Sequence, residues 1–437
     1  MPPTLDNSSD PQPTFSVGST TSEPSLTDQV KRFKPRKFKE KRETLLSKDP
    51  SQNNPSHEKL SLKCIKVIVS NFDKNPSHSG IPASHVREIT SRLPINLDPK
   101  KSAVYVHDES YWKRACLQSL SPSECQIVEH GLTWKQLFFE NHLQKRLEGF
   151  KDGDDIEVLL EEIEKFQDYI FCLRFRQMPG HIDLDRLTAS LPNLTKIDLQ
   201  YNINKIGMDF DRRLFGMKIS DASCLAKSVK DSENLTSIVL SGNLMDDDLL
   251  RMLMTGLYKS STITHLDVSH NKITNHGVRL LAKLLGTKSV LTSLNVADNQ
   301  IHAEGGRYLG RALRSNDSLS DLNMRLNRLT DEGGRMLLEG LRDNQSVTRL
   351  NVSGNSLGSE STSALSVVLR EQDSELMILD LSSNRLSDAD VQVLSATMER
   401  NDRLISMDMR MNSTTDGNED LEKIQEKLHY NELNLRS

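Results

Sequence analysis

Residues 264–271 read THLDVSHN, residues 292–299 read TSLNVADN and residues 320–327 read SDLNMRLN. The frame behind them is L-x-x-L-x-L-x-x-N. It fits LTKIDLQYN (194–202), LTSIVLSGN (235–243), ITHLDVSHN (263–271), LTSLNVADN (291–299), LSDLNMRLN (319–327), VTRLNVSGN (347–355), LMILDLSSN (376–384) and LISMDMRMN (404–412). From Asn243 onward the closing asparagines are 28, 28, 28, 28, 29 and 28 residues apart, whereas the first gap, from Asn202, is 41. Within a phrase Leu266 and Val268 alternate with His265, Asp267 and Ser269, the period of a strand with one buried face. The half that follows, such as HGVRLLAKLLGTKS (276–289), puts Val278, Leu281, Ala282 and Leu285 on one helical face. The closing asparagine carries donors and an acceptor on one short side chain. A ladder of them (Asn202, Asn243, Asn271, Asn299, Asn327, Asn355, Asn384 and Asn412) is expected to satisfy turn backbone that stacking would bury.

This pattern is the leucine-rich-repeat signature, and a single unit cannot bury its own apolar face, so the units must stack. The expected fold is α/β: a horseshoe of 28-residue, ribonuclease-inhibitor-like units with a concave parallel sheet, preceded by a helical domain and a disordered N-terminal tail. The division expected is a tail over 1–55, a helical domain over 56–190, repeats over 191–415, and a capping helix and tail over 416–437. Within 417–430, Leu421, Ile424 and Leu428 are spaced to pack over the open end. The first repeat carries an insertion over 203–219, which admits two readings: an atypical terminal repeat, or a docking loop presenting Phe210, Arg212 and Arg213.

The remaining sequence bounds the class. The chain has 437 residues, 36% hydrophobic and 27% charged, with net charge -5, as expected of a soluble protein of two or three domains. Neither a transmembrane helix nor a secretory signal is expected. Five scattered cysteines read as buried thiols of a reducing compartment. Residues 1–55 are too polar to build a core. Within them KRFKPRKFKEKR (31–42) holds eight basic residues and one acid. That segment reads either as a solvated linker or as a contact for an acidic surface such as a microtubule; nucleic acid and membrane are weaker partners for it. In the helical region, EKLSLKCIKVIVSNF (58–72), a helix begun by Pro82, SYWKRACLQSL (110–120) and TWKQLFFENHLQKRLEGF (133–150) read as helices, with Trp112 and Trp134 as core residues. IEVLLEEIEKFQDYIFCLRF (156–175) reads as one longer helix.

No Walker A loop, G-x-G-x-x-G after a strand, H-E-x-x-H or C-x-x-C occurs, and no cofactor, metal or catalytic residue is expected. His265, His270 and His276 read as surface histidines. One strand position repeated along the stack gives a polar column: Asp198, Asp267, Asn295, Asn323, Asn351, Asp380 and Asp408. It is read as a partner-recognition surface or a solvated face, since nothing in the sequence marks a catalytic acid pair. Arg325 and Arg410, in the next column, either pair with that ridge or anchor a partner. The candidate protein-binding residues are Asp267, Asn295, Asn323, Arg325, Arg349 and Asn351, with Phe210, Arg212 and Arg213 from the insertion.

DESYWKRACLQ (108–118), GLTWKQLFFENHLQKRLEGF (131–150) and the inserted first repeat, YNINKIGMDFDRRLF (201–215) followed by CLAKSVK (224–230), resemble the t-complex-associated testis-expressed family. These are leucine-rich-repeat subunits of the nexin–dynein regulatory complex of cilia and flagella. The resemblance covers roughly 58–412; the acidic linker that some relatives carry before the repeats is missing. It implies a non-catalytic scaffold of the axoneme that binds other subunits of that complex and supports control of dynein-driven motility. Competing readings are a GTPase-activating horseshoe of the Ran type and an actin pointed-end cap of the tropomodulin type.

Overall fold

The computed structural model describes residues 59–435 apart from 123, 126, 128–132, 151–153, 178–181, 202–214, 287, 372–373 and 416. The tail 1–55 with its basic segment, Asn202, and Phe210, Arg212 and Arg213 of the insertion lie outside the described residues.

The helical region contains α1 (Leu60–Asn71), α2 (Ala83–Arg92), α3 (Pro99–Tyr105), α4 (Glu109–Ser119), α5 (Trp134–Glu148) and α6 (Ile156–Ile163). Four of these begin at side-chain caps: Asp98, Asp108, Thr133 and Asp155 each accept an N–H of the first turn, satisfying a donor that helix geometry leaves orphaned. Trp112 is fully buried against Tyr111, Phe138 and Phe139, and its indole N–H donates to the Val106 carbonyl at 3.1 Å. Trp134, at the start of α5, is only partly buried.

The long helix expected over 156–175 stops at Ile163; a short 3-10 turn, Gln167–Tyr169, follows, and Cys172–Phe175 is a strand. The reason lies in the phrase itself. Ile170, Leu173 and Phe175 occupy the three apolar positions of the repeat frame and all are buried. Pairing in register with the first recognised repeat joins Cys172–Phe175 to Lys196–Leu199. Tertiary pairing thus overrides local helical preference.

Among the described residues the sheet has nine parallel strands in chain order: β1 (Cys172–Phe175), β2 (Lys196–Leu199), β3 (Ser237–Val239), β4 (His265–Asp267), β5 (Ser293–Asn295), β6 (Asp321–Asn323), β7 (Arg349–Asn351), β8 (Ile378–Asp380) and β9 (Ser406–Asp408). It therefore begins ahead of position 191. Helices return the chain between strands: α7 (Leu184–Ala189), α8 (Ile219–Asp231), α9 (Asp247–Leu257), α10 (Asn275–Leu284), α11 (Ala303–Leu313), α12 (Thr330–Leu341), α13 (Ser359–Arg370) and α14 (Asp388–Met398). A last helix, α15 (Glu419–Leu435), packs on α14 with Ile424 and Leu428 buried and Leu421 half-buried. Leu60–Ser437 is one compact unit, and its apolar core runs without a break from Ile65 to Leu428.

Neighbouring strands sit about 4.8 Å apart and packed helices about 8–10 Å apart, so stacking bends the array with the sheet on its inner side. Glycines narrow the helical layer locally. A Cβ added to Gly340 of α12 would lie 2.1 Å from the Gly310 carbonyl of α11, so those two helices meet backbone to backbone.

Asparagine side chains join the units. The Asn271 amide donates to the carbonyls of Leu240 (2.9 Å), Val268 (3.0 Å) and Ser269 (2.9 Å). Its oxygen accepts the N–H groups of Asn243 (3.0 Å) and Met245 (2.9 Å). Asn243, Asn299, Asn327, Asn355, Asn384 and Asn412 likewise bond backbone of the preceding unit. The residue just before each of these asparagines (Gly242, His270, Asp298, Leu326, Gly354, Ser383, Met411) has positive φ. This left-handed step, disfavoured for residues with a Cβ, turns the asparagine inward.

A parallel array also has an exposed first edge. Here Glu140 of α5, itself 7% exposed, accepts the N–H groups of Phe171 (3.0 Å) and Cys172 (2.8 Å) through Oε1. The corresponding N–H groups of the next strand, from Thr195 and Lys196, donate to the Phe171 carbonyl. Glu148 accepts the Arg176 N–H at 3.2 Å. The helical region thus supplies the acceptors that a preceding repeat would have offered.

The cysteines depart from the expectation of buried thiols: only Cys116 is buried, Cys64 is exposed, and the other three lie between; all five are free. No described helix is long and apolar enough to cross a membrane.

Two outcomes follow from these bonds. Asn271→Ala strips five buried backbone groups of their partner and is expected to lower stability by about 2–4 kcal/mol, against less than about half of that for Asn412→Ala at the half-buried terminal turn; urea midpoints of the two variants make the comparison. Glu140→Ala should accelerate amide hydrogen exchange first at Phe171 and Cys172, whereas Glu140→Gln, which keeps an acceptor, should leave those amides close to wild type.

Candidate functional site

The inner face of the sheet is the surface the sequence points to, and its side chains are ordered by strand register. Arg174, Asp198, Val239, Asp267, Asn295, Asn323, Asn351, Asp380 and Asp408 stand in one row across β1 to β9. Cys172, Lys196, Ser237, His265, Ser293, Asp321, Arg349, Ile378 and Ser406 form the row beside it.

The acid–amide row has work of its own. Oδ1 of Asp267 accepts the Ser269 N–H at 2.9 Å and its hydroxyl at 2.6 Å. Asn295 accepts from the N–H of Ala297, Asn323 from Arg325, Asn351 from Ser353, Asp380 from Ser382 and Asp408 from Arg410. Each residue closes a turn onto the N–H two positions on, a bond that needs only a side-chain oxygen, so acid and amide interchange freely. The second oxygens knit neighbours: Asn295 donates to Asp267 at 2.8 Å and Asn351 donates to Asp380 at 2.9 Å. These residues are half-buried, and the row is the lip of the strand-to-turn junction as much as an open face.

The structure therefore brings Asp267, Asn295, Asn323 and Asn351 together in one row but commits an oxygen of each to the backbone. Arg349 pairs across strands with Asp321 at 2.9 Å. Arg325 is exposed, and among the described residues no ion pair involves its side chain. Arg410 lies against its own neighbour, and its guanidinium, hydrogen-bonded to Asp408, holds that carboxyl below the usual range. Ser269 and Ser353, in the same column as Arg325, are buried. His265 meets Thr264, and His270 meets Asp298 at 2.7 Å. Among the described residues no three metal-ligating side chains converge.

Two further ladders escaped the reading of the sequence. At the helix-to-strand turn Asn316, Asn344 and Asn401 each bond a helix-end carbonyl of the preceding unit and accept N–H groups of their own turn. Asn431 of α15 donates to the carbonyls of Asn401 and Leu404, so the capping helix repeats the same rung. At the helix amino ends Asp247, Asn275, Asp331 and Asp388 accept N–H groups belonging to the following unit, placing an acceptor oxygen where helix donors are orphaned. Their signal was present as the same periodicity outside the strand phrase.

The helical region holds the most perturbed cation. Lys135, 4% exposed, donates to the carbonyls of Ala103 (2.7 Å) and Val106 (3.1 Å) and sits 4.1 Å from the Tyr169 ring centroid. Burial pushes its ammonium down to about 8, partly opposed by Glu109. Because the unfolded lysine keeps its proton to about 10.4, the unfolded state binds more protons between those values and stability gains with rising pH there. The urea midpoint of the native chain measured against Lys135→Met is expected to shift in favour of the native chain between pH 8 and pH 9.5.

The chain matches the Leucine Rich repeat family over residues 259–282, 287–310, 315–338, 343–366 and 374–395. A crystal structure of an internalin from Listeria monocytogenes is 17% identical, with 60% of this chain and 67% of that chain covered and a TM-score of 0.37. Dynein regulatory complex subunit 5 of Homo sapiens is 31% identical over 286 residues, 58% of this chain and 57% of that protein. The same-named protein of Chlamydomonas reinhardtii is 38% identical over 191 residues, 43% of this chain and 48% of that protein. The chain spans about half the length of the curated relatives it matches. It carries leucine-rich repeats and is similar in sequence to dynein regulatory complex subunit 5 of both organisms.

Proposed function

We propose that this chain is a non-catalytic scaffold of the ciliary or flagellar axoneme, binding other subunits of the nexin–dynein regulatory complex and supporting control of dynein-driven motility. The observation that carries the reading is the 38% identity to a dynein regulatory complex subunit over 191 residues. The architecture supports it: a stack closed by α5 at one end and by α15 at the other offers a broad, rigid inner face, the form in which repeat arrays bind proteins. The inner face also suits binding better than turnover, because its carboxylates are already engaged by backbone N–H groups.

The finer reading assigns the array to 28-residue, ribonuclease-inhibitor-like units and its contacts to the inner face, with Arg325 the most available of the candidate residues. The basic segment 31–42 is assigned to an acidic surface such as tubulin. Tagged full-length chain, expressed in ciliated cells lacking their own copy, is expected to enter the axoneme and to cross-link to other regulatory-complex subunits in intact axonemes. A chain that stays in the cell body and cross-links to none of them overturns the proposal. Deleting 31–42 is expected to weaken sedimentation with microtubules while leaving cross-links from the repeats in place.

A further inference from the structure

One row of side chains remains outside the inner face. The residue immediately after five of the ladder asparagines is held by an inter-unit backbone bond: the N–H of Lys272 donates to Met245, of Gln300 to Ile273, of Arg328 to Ile301, of Arg385 to Leu357 and of Ser413 to Leu386, all at 2.8–2.9 Å. These positions are therefore equivalent rungs along the carboxyl ends of the strands, and all five residues are exposed. Cations occupy alternate units, those of β4, β6 and β8, while the units of β5 and β9 carry neutral Gln300 and Ser413. After β7 the residue following the asparagine is the neutral Ser356, whose backbone is left-handed.

Ion pairing separates this row from the outer helices. There Arg307 meets Glu304, Arg335 meets Glu339 and Glu360, Arg342 meets Glu371, and Lys427 meets Asp402. Among the described residues Lys272, Arg328 and Arg385 have no such acid. The acids closest to them in sequence accept hydrogen bonds elsewhere: Asp267 from Ser269, Asp331 from the N–H groups of Gly358 and Ser361, and Asp388 from Thr415 and Asn418. A chain of net charge -5 thus keeps along this row three exposed cations that no described acid meets in a direct ion pair.

The spacing of that line selects the partner's form. Two strand separations place successive cations about 10 Å apart. An α-helix advances about 10.5 Å in seven residues, so carboxylates at i, i+7 and i+14 recur on one face at the same interval. An extended strand repeats a face about every 6.8 Å and falls out of step by the second cation. We propose that Lys272, Arg328 and Arg385 form a rail for an acidic α-helix of a partner protein, laid across the strand ends with its carboxylates at heptad spacing. This rests on the scaffold reading only for which complex supplies the helix.

The test uses full-length chain at about 50 mM salt and labelled helical peptides of equal charge and helicity, with glutamates either at i, i+7, i+14 or spread around the helix. Fluorescence anisotropy is expected to give about tenfold tighter binding for the heptad peptide. Each of Lys272→Glu, Arg328→Glu and Arg385→Glu should weaken it about fivefold, and the triple variant about a hundredfold. Arg311→Glu, the same charge change on the outer helix α11, should leave binding unchanged. Equal affinity for the spread peptide, for flexible polyglutamate, or for an oligonucleotide or anionic vesicle of matched charge overturns the rail, as does indifference to the three reversals. Peptide preference is read on purified protein. Its loss in a chain that still enters the axoneme therefore overturns the rail alone, and its persistence in a chain that never enters overturns the scaffold reading alone.

Discussion

The side-chain amide that follows each strand from β3 onward is the bond on which the array depends. Stacking hides the backbone of every strand-to-turn junction from water, and a hidden N–H or carbonyl without a partner costs about 1–3 kcal/mol. Asn271 meets five such groups, two in its own turn and three in the unit before. Nothing shorter reaches both units, and a carboxylate would bring charge into the site with no hydrogen to donate. The left-handed residue that precedes each asparagine is the conformational cost of aiming it inward, tolerated even at Leu326 and Met411 because so many groups are satisfied in return.

The same logic recurs at each junction of the solenoid. Asn316, Asn344 and Asn401 settle the helix-to-strand turn, and Asp247, Asn275, Asp331 and Asp388 settle the helix amino ends of the following unit. Glu140 does for the first edge what a backbone carbonyl of a preceding unit does elsewhere, and Asn431 does for the last turn what the asparagine of a following unit does elsewhere. The helices flanking the repeats are therefore parts of one hydrogen-bonding scheme, which explains why the apolar core passes through them without a break.

Rigidity of this kind bears on the proposed role. An array whose units are tied at three points transmits load along its axis without relying on any one contact. It also holds surface side chains at fixed intervals, so that recognition by spacing becomes available. The inner row illustrates the converse: Asp267, Asn295 and Asn351 present polar groups to solvent, but their geometry is dictated by the turns they close, leaving charge on neighbouring positions free to vary.

Periodicity alone determined the units, their strand and helix halves, and the asparagines between them, because a repeating fold writes one physical problem many times and one answer to it many times. Ile424 and Leu428 of the last helix were legible for the same reason of spacing. Residues that solve a problem once were not legible. Glu140 has no period, and the strand Cys172–Phe175 carries the three apolar positions of the phrase while the asparagine position is occupied by Met178, so its helical surroundings masked it. Whether a polar side chain faces solvent or is spent on backbone was likewise decided by tertiary structure, since Asn323 and Asn327 are the same residue type four positions apart. Only the left-handed turn between them sends one to the surface row and the other into the core.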